Sequence, residues 1–71
     1  MAQQIVAEMV ANVLTVVASP GDVLAAGGTV VILESMKMEI PVLAEAPGTL
    51  LSMRVAEGDV VQEGDVLAVL G

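Results

Sequence analysis

Apolar residues, mostly Val, Leu and Ile, fall in short runs that Gly, Pro, Asp and Asn interrupt every few positions. That spacing predicts many short strands, and no window carries a helical apolar stripe closed by caps. The predicted strands are Gln4–Glu8, Asn12–Val17, Val23–Leu24, Thr29–Glu34, Met38–Leu43, Thr49–Val55, Val60–Val61 and Val66–Leu70. The breaks between them have local causes. Ser19-Pro20-Gly21-Asp22 offers a proline that presets φ and a glycine that tolerates positive φ. Glu57-Gly58-Asp59 and Glu63-Gly64-Asp65 reuse the Gly-Asp pair, and Gly27-Gly28 and Pro47-Gly48 mark two more turns. Pro41 lies inside a predicted strand, where it has no N–H to give to a ladder. That strand is expected at a sheet edge or a bulge.

The pattern repeats. Val13–Leu33 aligns without a gap on Leu50–Leu70, at an offset of 37 residues. Leu14 falls on Leu51, Gly21-Asp22-Val23 on Gly58-Asp59-Val60, Gly27 on Gly64 and Leu33 on Leu70. With only two copies this is not a solenoid. It predicts one all-β domain over 1–71: a flattened barrel of two four-stranded antiparallel sheets with approximate two-fold symmetry. Lys37 then acquires a position. It stands where the first copy ends and the second begins, on a tight hairpin between two apolar strands. The equivalent point in the second copy lies past Gly71, so the symmetry sends this hairpin and the chain ends to opposite ends of the molecule.

Composition narrows the function. The chain has 71 residues, a net charge of −7, no Cys, no His and no aromatic residue. A chain this short buries only about 60% of its unfolded surface. Without histidine and cysteine it lacks the commonest general base and the commonest metal ligands, so free-standing catalysis and a metal site are not expected. With only two cations, a net charge of −7 and no aromatic rings it has little to hold phosphates and nothing to stack on bases, so no nucleic-acid partner is expected. The uncharged run Met9–Gly21 and the apolar run Val23–Leu33 both fall short of the roughly 18 apolar residues of a spanning helix. Met1-Ala2-Gln3-Gln4 lacks the basic start of a signal peptide. The expectation is a soluble cytoplasmic monomer with no membrane partner.

Against this acidic background Lys37 is the single lysine, and Arg54 is the only other basic side chain. A lone lysine is ordinarily a solvated surface charge. Here it stands between Met36 and Met38, apolar residues at a turn where Asn, Asp and Gly normally go. Methionine is flexible and polarizable, suited to contact with a partner, although core filling is its ordinary use. A lysine amine is normally protonated at neutral pH. The flanking Glu34 and Glu39 supply neither the cationic nor the desolvating pocket that Schiff-base lysines require. Lys37 reads as an acceptor that another enzyme modifies.

Glu34-Ser35-Met36-Lys37-Met38-Glu39 resembles the attachment motif of biotinyl domains, the biotin carboxyl carrier family, and nearest of all the small stand-alone biotin/lipoyl attachment proteins. The two half-repeats around the hairpin extend the likeness to nearly the whole chain. Lys37 matches the modified lysine, Met36 and Met38 the flanking methionines, and Glu34 the acidic residue three positions before. Ser35 stands where alanine is frequent. Glu8-Met9-Val10-Ala11 departs from the Pro-Met-x-Gly-like segment of many members. Between Thr15 and Val30 there is no room for the protruding thumb of some bacterial carriers. The resemblance implies a non-catalytic carrier. Biotin protein ligase would attach biotin to Lys37, with Met36, Met38 and Glu34 recognised by the ligase or later partners. The biotin would carry a carboxyl group from a biotin carboxylase to a carboxyltransferase. Two other readings stand beside it. Lipoyl carriers usually have Asp-Lys-Ala at this turn, against which the methionines argue. An unmodified structural module leaves the Met-Lys-Met tip without a use.

Overall fold

The computed structural model describes residues 3–71, and these form eight strands. They are β1 (Gln3–Val6), β2 (Ala11–Val16), β3 (Val23–Leu24), β4 (Thr29–Ser35), β5 (Met38–Leu43), β6 (Gly48–Met53), β7 (Val60–Val61) and β8 (Val66–Leu70). β1, β2 and β6 start and end one or two residues earlier than the sequence predicts. The strands make two four-stranded antiparallel sheets, ordered β1-β8-β6-β3 and β5-β4-β2-β7. Among the described residues no helix is long and apolar enough to cross a membrane.

The repeat is exact in topology. Adding 37 to each residue of the first half sends β1, β2, β3 and β4 onto β5, β6, β7 and β8, and one sheet order onto the other. Ile5 pairs with Ala68 and its counterpart Val42 with Val31; Gln4 pairs with Val69 and its counterpart Pro41 with Ile32. The symmetry therefore reaches back through β1, beyond the Val13–Leu33 segment seen in the sequence. Each half gives two strands to each sheet, so neither half has a sheet of its own. Backbone bonds from the turns tie the two halves in symmetric sets. Gly21 N donates to Leu50 O and Gly58 N to Val13 O, at 2.8 and 2.9 Å; Gly27 N donates to Ala44 O and Gly64 N to Ala7 O, both at 2.8 Å. Between the sheets, Val30, Val31, Leu33, Leu50, Val61, Leu67 and Leu70 are almost completely buried. Side chains alternate in and out along a strand, and part of the outward set is apolar too: Leu14, Val23, Leu43, Leu51 and Val60 are exposed.

Four turns share one construction. Gly21, Gly27, Gly58 and Gly64 occupy the third position with φ between 85° and 95°, as a type II turn demands. In each, the fourth residue's N–H donates to the first residue's carbonyl, at 2.9–3.1 Å. Three of the fourth residues are aspartates, and each carboxylate reaches back to accept the first residue's N–H: Asp22 from Ser19, Asp59 from Ala56 and Asp65 from Gln62, all at 2.9 Å. Asp59→Ala is expected to cost about 1 kcal/mol, since it strands one N–H in an exposed turn. In a domain of this size that lowers the melting temperature by roughly 4–8 °C. A thermal melt checks it, and an unchanged melting temperature would show the carboxylate to be redundant.

β5 is an edge strand, as Pro41 requires. Glu34↔Glu39, Leu33↔Ile40 and Ile32↔Pro41 are successive pairs counted from the hairpin turn. Antiparallel pairs alternate between bonded and non-bonded, so Pro41 falls at a non-bonded pair and its missing N–H faces away from β4. Gln3, at the start of β1, donates from Nε2 to Ala46 O and accepts at Oε1 from Glu45 N, at 3.2 and 2.9 Å. Gly71 and Thr49 exchange two backbone bonds of 2.8 Å. The start of β1 and the end of the chain thus lie past Leu43, at the opposite end of β5 from Met38. About 3.4 Å per residue separates the two ends of that strand by roughly 20 Å, and the molecule measures 32 × 17 × 17 Å. Only β3 and its two turns lie between β2 and β4, so no thumb protrudes there.

Candidate functional site

β4 is the most deeply buried strand beside the site: Val30 and Val31 are fully buried and Leu33 nearly so. β5 pairs with it along its whole length, from Thr29↔Leu43 to Ser35↔Met38. Only Met36 and Lys37 remain to connect them. Both have positive φ, 53° and 64°, and they are the only non-glycine residues that do so among those described. Two successive left-handed residues form the type I′ turn, whose twist matches the twist of the strands it joins. The usual occupants are Asn-Gly. For Met and Lys the left-handed region costs roughly 1–2 kcal/mol per residue, because Cβ crowds the following carbonyl. The long β4–β5 ladder and the burial of β4 hold the turn in place against that cost. Strain of this kind, observed and not inferred, gathers where a backbone must present something.

What the turn presents is chemically simple. Met36 is 88% exposed and Met38 60% exposed. Lys37 and Glu39 are exposed, while Glu34 and Ser35 are half-buried at the end of β4. The structure thus brings all four residues singled out by sequence, Glu34, Met36, Lys37 and Met38, to a single tip. Glu34 and Glu39 face each other directly across the ladder. Like charges so placed oppose pairing, so the acidic collar is a second local cost at the same tip. The lysine carries a primary amine on a four-carbon stem and is exposed at the end of the hairpin. Such a group can hold something covalently and swing it. A groove of about 190 Å³ runs between the edge strands β1 and β5, lined in part by Val6, Met9, Ile40 and Pro41. Glu8 and Glu45 also line it, but no Lys, Ser or Thr does. Among the described residues no cluster of His, Cys, Asp or Glu could hold a metal ion.

The family model described as biotin-requiring enzyme matches residues 2–70. The chain belongs to the biotin/lipoyl attachment domain family. Within it, the chain is 53% identical over 70 residues to a biotinylated protein TB7.3 homolog of Mycobacterium leprae, covering 99% of both chains. Its fold superimposes on part of the Kluyveromyces lactis urea carboxylase with a TM-score of 0.95 and 34% identity, covering all of this chain and 6% of that one. It also resembles the lipoyl domain of the 2-oxoglutarate dehydrogenase complex of Azotobacter vinelandii, with a TM-score of 0.76 and 28% identity, covering 94% and 95% of the two chains. As in the family at large, the domain is a carrier and not a catalyst.

One residue of the site went unnoticed in the sequence. The β2–β4 ladder ends at Asn12↔Glu34, and Val10 lies two residues before Asn12, at the lysine-bearing end of that ladder. Val10 is 62% exposed, which adds a third apolar side chain at the lysine-bearing end. Its signal was present: a valine in the short connection between two strands, outside the inward alternation. Val60, paired with Asn12, is also exposed, but so is its repeat counterpart Val23 at 82%. That exposure belongs to the repeat and not to the site. The departure at Glu8–Ala11 leaves the backbone path intact, since Ala7 and its counterpart Ala44 make equivalent pairs of bonds in the two halves.

Proposed function

We propose that this protein is a biotin carrier with Lys37 as its attachment site. The observation that carries this reading is the lone lysine, exposed on a two-residue left-handed turn between two exposed methionines, in a chain whose relative of nearly equal length is titled a biotinylated protein. A biotin protein ligase would join the biotin carboxyl to the Lys37 amine from a biotinyl-adenylate: the amide bond forms, AMP leaves, and the amine gives up a proton. The residues fit such a group because it is tethered and not enclosed. Lys37 is exposed at the tip, between exposed Met36 and Met38. When bound, biotin supplies a nitrogen that accepts and releases a carboxyl group.

The protein's own residues present and recognise. The strained turn fixes where the lysine stem starts, and the closed β fold keeps that start rigid. Glu34, Met36 and Met38 form the surface that the ligase and later partners read. Carboxylase subunits are the partners this reading implies, a biotin carboxylase and a carboxyltransferase, visited by a monomer in the cytoplasm. Tethering raises the group's effective concentration at each visited site to the millimolar range for short links. The lipoyl reading is not favoured, because methionines flank Lys37 on both sides. The deciding experiment is the intact mass of the protein from its own host, followed by fragmentation. One biotinyl group on Lys37 is expected. A lipoyl group, or a chain still bare after incubation with biotin ligase, ATP and biotin, would overturn the proposal.

A further inference from the structure

The exposed tip has a second chemistry that the carrier role does not use. The chain contains no Cys, His, Trp or Tyr, so its five methionines are its only readily oxidised side chains. Every two-electron oxidation by a hydroperoxide must therefore fall on a thioether. Solvent access ranks them. Met36 is 88% and Met38 60% exposed, whereas Met9 is 38% exposed and Met53 packs against the core. Among the described residues, the two best placed are the two that flank Lys37.

We infer that Met36 and Met38 form a reversible oxidation site that switches the tip between a form competent for partners and one that is not. The step is balanced with a hydroperoxide as oxidant. A sulfur lone pair attacks the terminal peroxide oxygen, the O–O bond breaks, a sulfoxide forms, and the alcohol or water leaves. Sulfur is oxidised by two electrons and the peroxide reduced by two. A methionine sulfoxide reductase reverses it with a dithiol, which becomes a disulfide as water leaves. The product matters because of its place. A sulfoxide is polar and chiral where the thioether is apolar and adaptable. At Met36 it changes almost nothing inside the fold, because the side chain buries so little, yet it sits one residue from the acceptor amine. The fold thus survives an oxidation that alters the surface a partner meets.

The oxidation site stands independently of the carrier reading; the effect on ligation rests on it. The test exposes the full chain to increasing hydrogen peroxide and maps sulfoxides by mass spectrometry. Met36 is expected to react at least about twofold faster than Met9, following their exposures of 88% and 38%, and faster still than Met53. Circular dichroism should be unchanged. Protein oxidised at the tip should be biotinylated by ligase, ATP and biotin about fivefold more slowly, the size of a lost interface contact, and reductase treatment should restore the rate. In a variant carrying Met36→Leu and Met38→Leu, peroxide should leave ligation at that variant's own starting rate. Oxidation of Met9 or Met53 as fast as Met36 would overturn the site. Tip sulfoxides with an unchanged ligation rate would overturn the switch. If the untreated protein accepts no biotin, the carrier reading and the switch fall together, while the mapping still decides where oxidation occurs.

Discussion

Lys37→Arg is expected to yield a protein that never gains a covalent group and melts where the unsubstituted protein melts. The loss should be complete and not partial. The guanidinium stays protonated at any accessible pH and is no nucleophile, and the chain has no second lysine to substitute for the first. The fold should not respond, since Lys37 is exposed at the tip and substitutions at such positions usually stay within about 0.5 kcal/mol. Arginine also meets the same left-handed backbone as lysine, so the turn's strain is unchanged. Incubation with ligase, ATP and biotin, with intact mass and a thermal melt as readouts, separates the alternatives. Biotin still incorporated would place the attachment elsewhere on the chain. A melting temperature several degrees lower would make Lys37 part of the structure.

The architecture was legible because each level of the sequence agrees with the others. Short Val/Leu/Ile runs set the strands, and Gly-Asp pairs set the turns. Pro41 narrowed its strand to an edge or a bulge, and the edge is what the fold uses. The repeat supplied the two-fold, and with it the separation of Lys37 from the chain ends. What stayed hidden was long-range or subtle. The symmetry of β1 with β5 rests on pairs such as Ile5 with Val42, whose identities differ while their places in the ladders match. The interleaving of the halves, two strands from each in each sheet, is a matter of pairing that no single strand records. The bulges that interrupt the β2–β4 and β6–β8 ladders leave equally little trace in the run of apolar residues around Leu14 and Leu51.

The candidate site stood out for the opposite reason, because its residues contradict their surroundings. One lysine in an acidic chain, and two methionines where a turn wants Asn and Gly, stand out against rules the rest of the sequence obeys. Local rules that fail at a single place usually fail for function. The backbone of that exception was not readable. Met-Lys carries no positive-φ signature, and the left-handed pair appears only once β4 and β5 are paired in register up to Ser35↔Met38. Val10 escaped for a related reason, since its nearness to the tip depends on the β2–β4 register.

If the turn is strained for the sake of presentation, relieving it should stabilise the protein and end its function in the same step. Met36→Asn with Lys37→Gly installs the pair that a type I′ turn prefers. Removing Cβ crowding at two left-handed residues is worth roughly 1–2 kcal/mol each, less about 0.5–1 kcal/mol for the greater unfolded-chain freedom of glycine. The net gain of about 1–3 kcal/mol should raise the melting temperature by roughly 4–24 °C. Modification is lost with the amine. The single substitution Met36→Asn divides the two effects. It keeps Lys37 and should keep part of the added stability, since asparagine tolerates the left-handed region. It should also be biotinylated more slowly, because an apolar contact beside the acceptor is gone. Thermal melts of the three proteins, with ligation rates for the two that retain lysine, check the argument. A double variant no more stable than the starting protein would mean that Met36 and Lys37 return in side-chain contacts what their backbone gives up. The turn would then be an ordinary hairpin, and its left-handed residues no sign of function. A stabilised Met36→Asn protein that is modified at the full rate would keep the strain but remove Met36 from the surface that the ligase reads.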